Sequence, residues 1–410
     1  MSRSLNSLLW LALGAFAIGT EGFMIAGLLP ALARDLNVGP PAAGHLVTAF
    51  SLAYAIGAPV MAVLTAGLER RRLLAIAMAG FSIANFLAAV APGYAGLLAA
   101  RLLLALSAAS FMPAASGYAA ALGGPDRRGR ALSVVTNGLT VAIIAGVPLG
   151  VLVGQSFGWR ATFLCVGGLA ALSLLGTLVR LPSQPPGTIA SLGERLALTK
   201  RSDIMAVLAI SVLTVAGTFT VYTYLGVFLT DVAGIGPRGL ALVLFGFGLA
   251  STVGTRLGGT IADHWGTAHT VIVGGGLTVL AYLILSLGVA LGPARAMLAL
   301  LPAILLWGMA SWGLMTAQQA RLVALNPDMA TVSLSLNSSA IYLGSAMGAA
   351  VGALVIADGG LERLGWVAAG FSVAALLAMP ASVYAASHRS GRVGEEPPSN
   401  SDTGSVKEHA

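Results

Sequence analysis

The feature that most constrains this chain is an apolar stretch, bounded by charge or by glycine and proline, that recurs twelve times along it. The stretches fall near 7–32, 43–66, 73–91, 94–121, 131–154, 161–181, 204–230, 239–262, 269–291, 295–320, 329–356 and 363–386. Each is about as long as the roughly 20 residues of helix that cross a bilayer core. In hydrocarbon a spanning segment must satisfy its own backbone, which leaves the helix as the fitting form for runs of this length. The expectation is an all-α membrane protein with twelve transmembrane helices. Composition agrees: 57% of the 410 residues are hydrophobic and 9% charged, against about 25% charged in soluble domains, and the mean hydropathy is +0.88.

A net charge of +7 does not point to nucleic acid, because the basic residues are divided among short loops instead of sharing one face. Cys165, the single cysteine, lies in an apolar run; it has no disulfide partner or companion ligand and reads as a packing residue. The first apolar run carries Glu21 and no small-residue cleavage site, so it reads as a retained span and not a secretory signal. No nucleophile–base grouping, phosphate-binding loop or metal-ligand cluster stands out, which disfavours an enzyme or an ATP-driven pump and calls for no cofactor or metal.

Basic residues in short loops mark the cytoplasmic side. Arg3, Arg70–Arg72, Arg127, Arg128, Arg130, Arg180, Arg195, Lys200, Arg201, Arg321, Arg389, Arg392 and Lys407 all fall on the side shared by the two termini. Arg34, Arg160, Arg238, Arg295 and Arg363 fall on the other. Both termini are expected in the cytoplasm. One interruption is longer than the rest and rich in proline and charge. It divides the chain into an N-terminal six-helix bundle (1–181), a cytoplasmic linker (182–203), a C-terminal six-helix bundle (204–386) and a polar tail (387–410) that reads as disordered. The 53 glycines are expected mostly to let helices approach closely, as at Gly254 with Gly258 and Gly344 with Gly348.

Of 15 acidic residues only Glu21 lies deep within a span. A charge at the bilayer centre costs about 2.5–3.5 kcal/mol on insertion scales, and that burden falls on the ionised form. A carboxyl poised to hold or release a proton is what proton-coupled exchange requires, so Glu21 is the expected proton carrier; the alternative is a permanently protonated side chain bonded to a neighbouring helix. Arg101, within the fourth span, cannot lose its proton and needs an acceptor, with Glu21 and Asp35 as candidates.

Three stretches make a resemblance to a known family. GVPLG (Gly146–Gly150) with the following GQSFGWRATF is similar to the fifth-span signature of proton-coupled exporters of the major facilitator superfamily. A proline inside a helix bends it in any family. GGTIADHWG (Gly258–Gly266) resembles that family's cytoplasmic loop motif, with Asp263 in its acidic place, while AGLERRRLL in the first half departs from the motif and leaves Glu69 and Arg70 as the corresponding charges. The opening LGAFAIGTEGFMIAGLLPALARDL looks like the twelve-span drug/proton antiporters, near the sugar (arabinose) efflux permeases and chloramphenicol exporters. Arg101 matches the family's fourth-span arginine, although LLLALS follows it where Gln-Gly is usual.

The resemblance implies two pseudo-symmetric six-helix bundles, a monomer, and a small molecule and protons as partners. It implies alternating access, with Gly146, Pro148, Gly150, Glu69, Arg70 and Asp263 in conformational roles. Cargo contacts are expected near the midplane, between the halves. Polar and aromatic candidates are Tyr54, Asn85, Ser110, Asn137, Tyr222, Tyr224, Trp307, Trp312, Gln318, Asn337 and Tyr342, although a packing or lipid-facing role is the commoner one for any such residue taken alone. His45 reads as a solvated histidine near the outer surface, and Arg256 has no assigned role. The expected function is proton-coupled export of a drug, sugar or related metabolite across a bacterial inner membrane. An uptake symporter and a non-transporting membrane sensor are the alternatives.

Overall fold

The computed structural model of the chain describes residues 2–186 and 197–393. Its regular structure is helical throughout: α1 (Ser2–Asp35), α2 (Pro40–Leu64), α3 (Arg70–Ala89), α4 (Tyr94–Gly124), α5 (Asp126–Phe157), α6 (Trp159–Arg180), α7 (Ser202–Tyr222), α8 (Leu225–Ala233), α9 (Pro237–Trp265), α10 (Thr267–Gly288), α11 (Pro293–Leu325), α12 (Ala330–Ala357) and α13 (Arg363–Val393). Twelve are long and apolar enough to cross a membrane. The exception is the nine-residue α8, which resumes the path of α7 after the helical ladder lapses at Thr223 and Tyr224, inside what reads from hydropathy as one span.

Local chemistry sets the boundaries. Pro40, Pro237 and Pro293 open α2, α9 and α11, at positions where a missing N–H has no helical partner to lose. Gly124, with φ at +66°, breaks an otherwise continuous path into α4 and α5, a conformation that glycine alone adopts without strain. The last helix runs on to Val393, past the boundary at 386 expected from hydropathy. Residues 187–196 of the expected linker and 394–410 of the expected tail lie outside the described residues. Cys165 is exposed on α6 and is not a packing residue as its apolar surroundings suggest; a helix face turned to lipid is as apolar as one turned inward.

Helices in lipid gain little from hiding apolar surface from one another, so small residues and close backbone approach hold them together. A parallel ladder joins α5 to α1: Gly138, Gly146, Gly150 and Gly154 lie against Ala12, Thr20, Met24 and Leu28 in unbroken register. The same device recurs between α12 and α7, where Gly344, Gly348 and Gly352 meet the backbone carbonyls of Val212, Ala216 and Thr220. Gly254 and Gly258 of α9 pack likewise on Met309 and Gly313 of α11. The two halves therefore repeat one another in packing as well as in helix count.

α2 packs along α12, α5 along α9, and α1 against α8. These are the principal seams between the first six helices and the rest. An apolar cluster shared by both halves gathers Ala26, Leu29 and Ala33 of α1, Ala43 of α2 and Val147 and Val151 of α5 with Tyr224, Leu225, Leu229, Leu240 and Leu244. It lies at the end of the molecule opposite the linker. Nearer the linker the apolar clusters around Ile204 and Leu322, and around Ile210 and Leu314, contain residues of the second half alone. The halves are thus joined by apolar packing at the end away from the linker and, through Ala349, Phe219 and Tyr342, along the first-half core.

Candidate functional site

Glu21 sits midway along α1, fully buried, and its Oε1 accepts a hydrogen bond from Nη1 of Arg101 on α4, also fully buried. Arg101 Nε–H donates to the carbonyl oxygen of Leu46 at 3.2 Å, and its guanidinium carbon lies 4.3 Å from the centre of the Phe50 ring. Three restraints from two helices thus fix one cation against one carboxylate. Glu21 Oε2 and Arg101 Nη2 are buried without a hydrogen-bond partner among the described residues. A buried pair is balanced only while both charges remain, because removing either one strands the other. Asp35, the alternative acceptor for Arg101, belongs elsewhere. Its Oδ2 accepts from Trp159 Nε1 at 2.8 Å and from Arg160 Nη1 at 2.5 Å, at the end of the molecule away from the linker.

From Phe50 the arrangement continues into the second half. Tyr342 of α12 lies 6.3 Å from Phe50, centre to centre, and stacks on Tyr54 at 3.6 Å with ring planes 20° apart. Beside them Ser51 and Ser345 share a hydrogen bond of 2.8 Å. A change at the Glu21–Arg101 pair therefore reaches the α2–α12 seam through a single ring. The sequence names Tyr54 and Tyr342 only as polar aromatics, and Phe50 not at all. The spacing of Phe50 and Tyr54 along one face of α2 is the signal that was available.

The other residues expected to contact cargo divide by location. Gln318 and Asn337 come together around a small recess also lined by Ser211 and Thr214. Gln318 Nε2–H donates to the Val207 carbonyl at 3.1 Å, while the Oδ1 atoms of Asn337 and Asn85 are buried without a partner among the described residues. Trp312 is half-buried against Phe247, ring edge to face. Asn137 is exposed on α5, one to two turns toward the linker from Ile143 and Ile144, which press on Gly248 of α9.

Tyr222, Tyr224 and Asn85 lie at helix seams. The Tyr222 hydroxyl donates across the halves to the Phe23 carbonyl at 3.3 Å. That of Tyr224 donates to the Ala349 carbonyl at 2.9 Å while the ring presses on Gly44 of α2. Asn85 lies against Gly167 at the seam of α3 and α6, with its amide nitrogen donating to its own helix at Phe81. Nothing in a single sequence separates such seams from a cavity wall.

Of the residues expected to act in conformational change, Gly146 and Gly150 belong to the α1–α5 ladder. Pro148 follows a π-turn over Ala142–Gly146, in which Val147 N–H reaches back to the Ala142 carbonyl. Glu69 Oε1 accepts from the Gln184 backbone N–H at 3.2 Å. Arg70 N–H donates to the Gln184 carbonyl at 3.2 Å, and Arg70 Nη1 to the Gly117 carbonyl at 2.8 Å. Both residues hold the start of the linker to their own bundle. Asp263 is exposed, with no hydrogen bond or ion pair among the described residues.

Two six-span halves meeting along a buried seam, with a charge pair at mid-depth, define a multi-pass membrane transporter and not an enzyme. The chain belongs to the major facilitator superfamily, whose family model matches residues 11–349. It is 33% identical to the chloramphenicol resistance protein of Streptomyces lividans, over 84% of this chain and 88% of that one. It is 29% identical to a probable sugar efflux transporter of Helicobacter pylori strain J99, over 89% of this chain and 92% of that one. The crystal structure of a D-xylose–proton symporter shares the fold, with a TM-score of 0.78 at 16% identity, over 92% of this chain and 97% of that one. The resemblance expected from GVPLG and the opening span therefore holds.

Proposed function

We propose that the protein is a proton-driven exporter of a small molecule, working as a monomer in the bacterial inner membrane with both termini in the cytoplasm. The observation that carries the reading is the Glu21–Arg101 pair, held at mid-depth and joined through Phe50 to the α2–α12 seam. Protonation of Glu21 removes one charge of the pair and leaves Arg101 to find another acceptor. The restraint on Phe50, and with it the packing of Tyr54 and Tyr342, then changes. A ligand shifts a two-state equilibrium only by its differential affinity for the two states, and here a proton and a cargo would favour opposite ones.

The basic loops on the linker side support a cytoplasmic location for that side. The apolar weld at the opposite end supports reading this conformation as inward-facing. Export is favoured over uptake by GVPLG and by the name of the probable sugar efflux relative; the symporter shares only the fold. Everted vesicles holding an established proton gradient discriminate between the readings. Addition of an exported cargo should release protons in the wild type and not in Glu21→Gln. If no release follows with any drug, sugar or nucleoside while whole cells take up one of them with protons, the uptake reading replaces this one.

A further inference from the structure

Glycines along α1 are packed hard, with one exception. A Cβ at Gly14 would stand 2.5 Å from Phe111, at Gly19 2.8 Å from Ala142, and at Gly27 2.4 Å from Val151. At Gly22, next to Glu21, it would meet nothing within 4 Å. The residues one turn away on the same face, Ile18, Gly19, Ile25 and Ala26, are all buried, whereas Gly22 is half-exposed. α1 is itself enclosed by α4, α5, α6 and α8. The space over Gly22 is therefore a recess inside the protein and not its lipid-facing surface.

The helix does not require glycine there, since glycine in a helix interior is less favourable than alanine by about 1 kcal/mol. Close packing cannot account for it either, as it does for the other three. We propose that Gly22 sets the size of molecule admitted beside the Glu21–Arg101 pair, its missing side chain leaving room for part of the cargo. This deepens the transport reading above and rests on it for the identity of what enters.

The test uses the full chain with Cys165→Ser, which removes the one native thiol. Gly22→Cys in everted vesicles should react with a charged, membrane-impermeant methanethiosulfonate added from the linker side. Gly22→Leu should unfold at or above the wild-type temperature, because helix propensity improves and a Cβ there displaces no neighbour. It should shift the ratio of chloramphenicol to D-xylose binding by about tenfold or more against the bulkier compound, the scale on which a pocket reads one or two methylene groups. Failure of the charged reagent to label, a lowered unfolding temperature for Gly22→Leu, or an unchanged binding ratio would each overturn the proposal. Labelling and a shifted ratio without proton release in any vesicle assay would leave the recess standing and remove proton-coupled export.

Discussion

Tyr54 of α2 and Tyr342 of α12 stack across the seam between the two halves, 3.6 Å from centre to centre, two helical contacts away from the buried pair of Glu21 and Arg101. Aromatic pairs of this kind contribute about 0.5–1.5 kcal/mol beyond their buried area. Tyr342→Leu should accordingly weaken the described conformation and raise the population of its alternative by about 2- to 12-fold. Distance distributions between spin labels on the linker-side ends of α4 and α11 measure that population; an unchanged distribution would separate the stack from the rocking motion.

Twice an acid of α1 pairs with an arginine of another helix, in opposite surroundings, and the consequences differ. Glu21→Ala leaves Arg101 buried without its counter-charge and should destabilise the protein by about 3–5 kcal/mol. Glu21→Leu combined with Arg101→Leu should recover most of the unfolding temperature and none of the proton movement. At Asp35 and Arg160 both side chains are nearly half exposed, so Arg160→Gln should cost less than about 1 kcal/mol. Thermal unfolding in detergent compares the three variants with the wild type directly. Equal losses at the two sites would mean that burial does not govern the difference.

The Gly146 position tests the ladder. A Cβ there would stand 2.0 Å from the Thr20 hydroxyl oxygen, a side-chain atom that can be removed. Gly146→Ala should destabilise the protein by about 1–3 kcal/mol, as overpacking generally does, and Thr20→Ala should restore most of it. At Gly348 the obstacle is the Ala216 carbonyl at 2.2 Å, which no substitution removes, so Gly348→Ala should have no such rescue.

The twelve spans were legible because apolar runs of bilayer length leave a chain few alternatives. Glu21 was legible because a lone acid in such a run is conspicuous, while the need of Arg101 for an acceptor left Glu21 and Asp35 as equal candidates. The seam was not. Tyr222, Tyr224 and Asn85 are polar residues in apolar helices, and so are Gln318 and Asn337; only the helix neighbours decide which hydroxyl is committed to a carbonyl and which amide faces a recess. Gly22 is invisible for the converse reason, since thirteen per cent of the chain is glycine and its distinction is an empty neighbourhood. Glu69 and Arg70 have their described partners in the linker and in α4 of the same bundle, contacts that the loop sequence does not reveal.

Pro148 and Gly248 make the last prediction. The π-turn sends Val147 N–H to the Ala142 carbonyl, and Pro148 has no N–H to offer the carbonyl of Ile143. That oxygen is pressed instead on Gly248 of α9, where an added Cβ would stand only 2.6 Å away. The approach of one backbone to another across the halves thus depends on a missing donor on α5 and a missing side chain on α9. Neither backbone can move aside as a flexible side chain would. Gly248→Ala should therefore push α5 and α9 apart and disfavour the described conformation. Pro148→Ala, which returns an N–H to α5, should allow a regular helix there and slow cargo movement without lowering the unfolding temperature. Spin labels on the exposed Phe157 of α5 and Arg238 of α9 read the separation, which should lengthen in Gly248→Ala. An unchanged distance would show that the seam turns about some other contact.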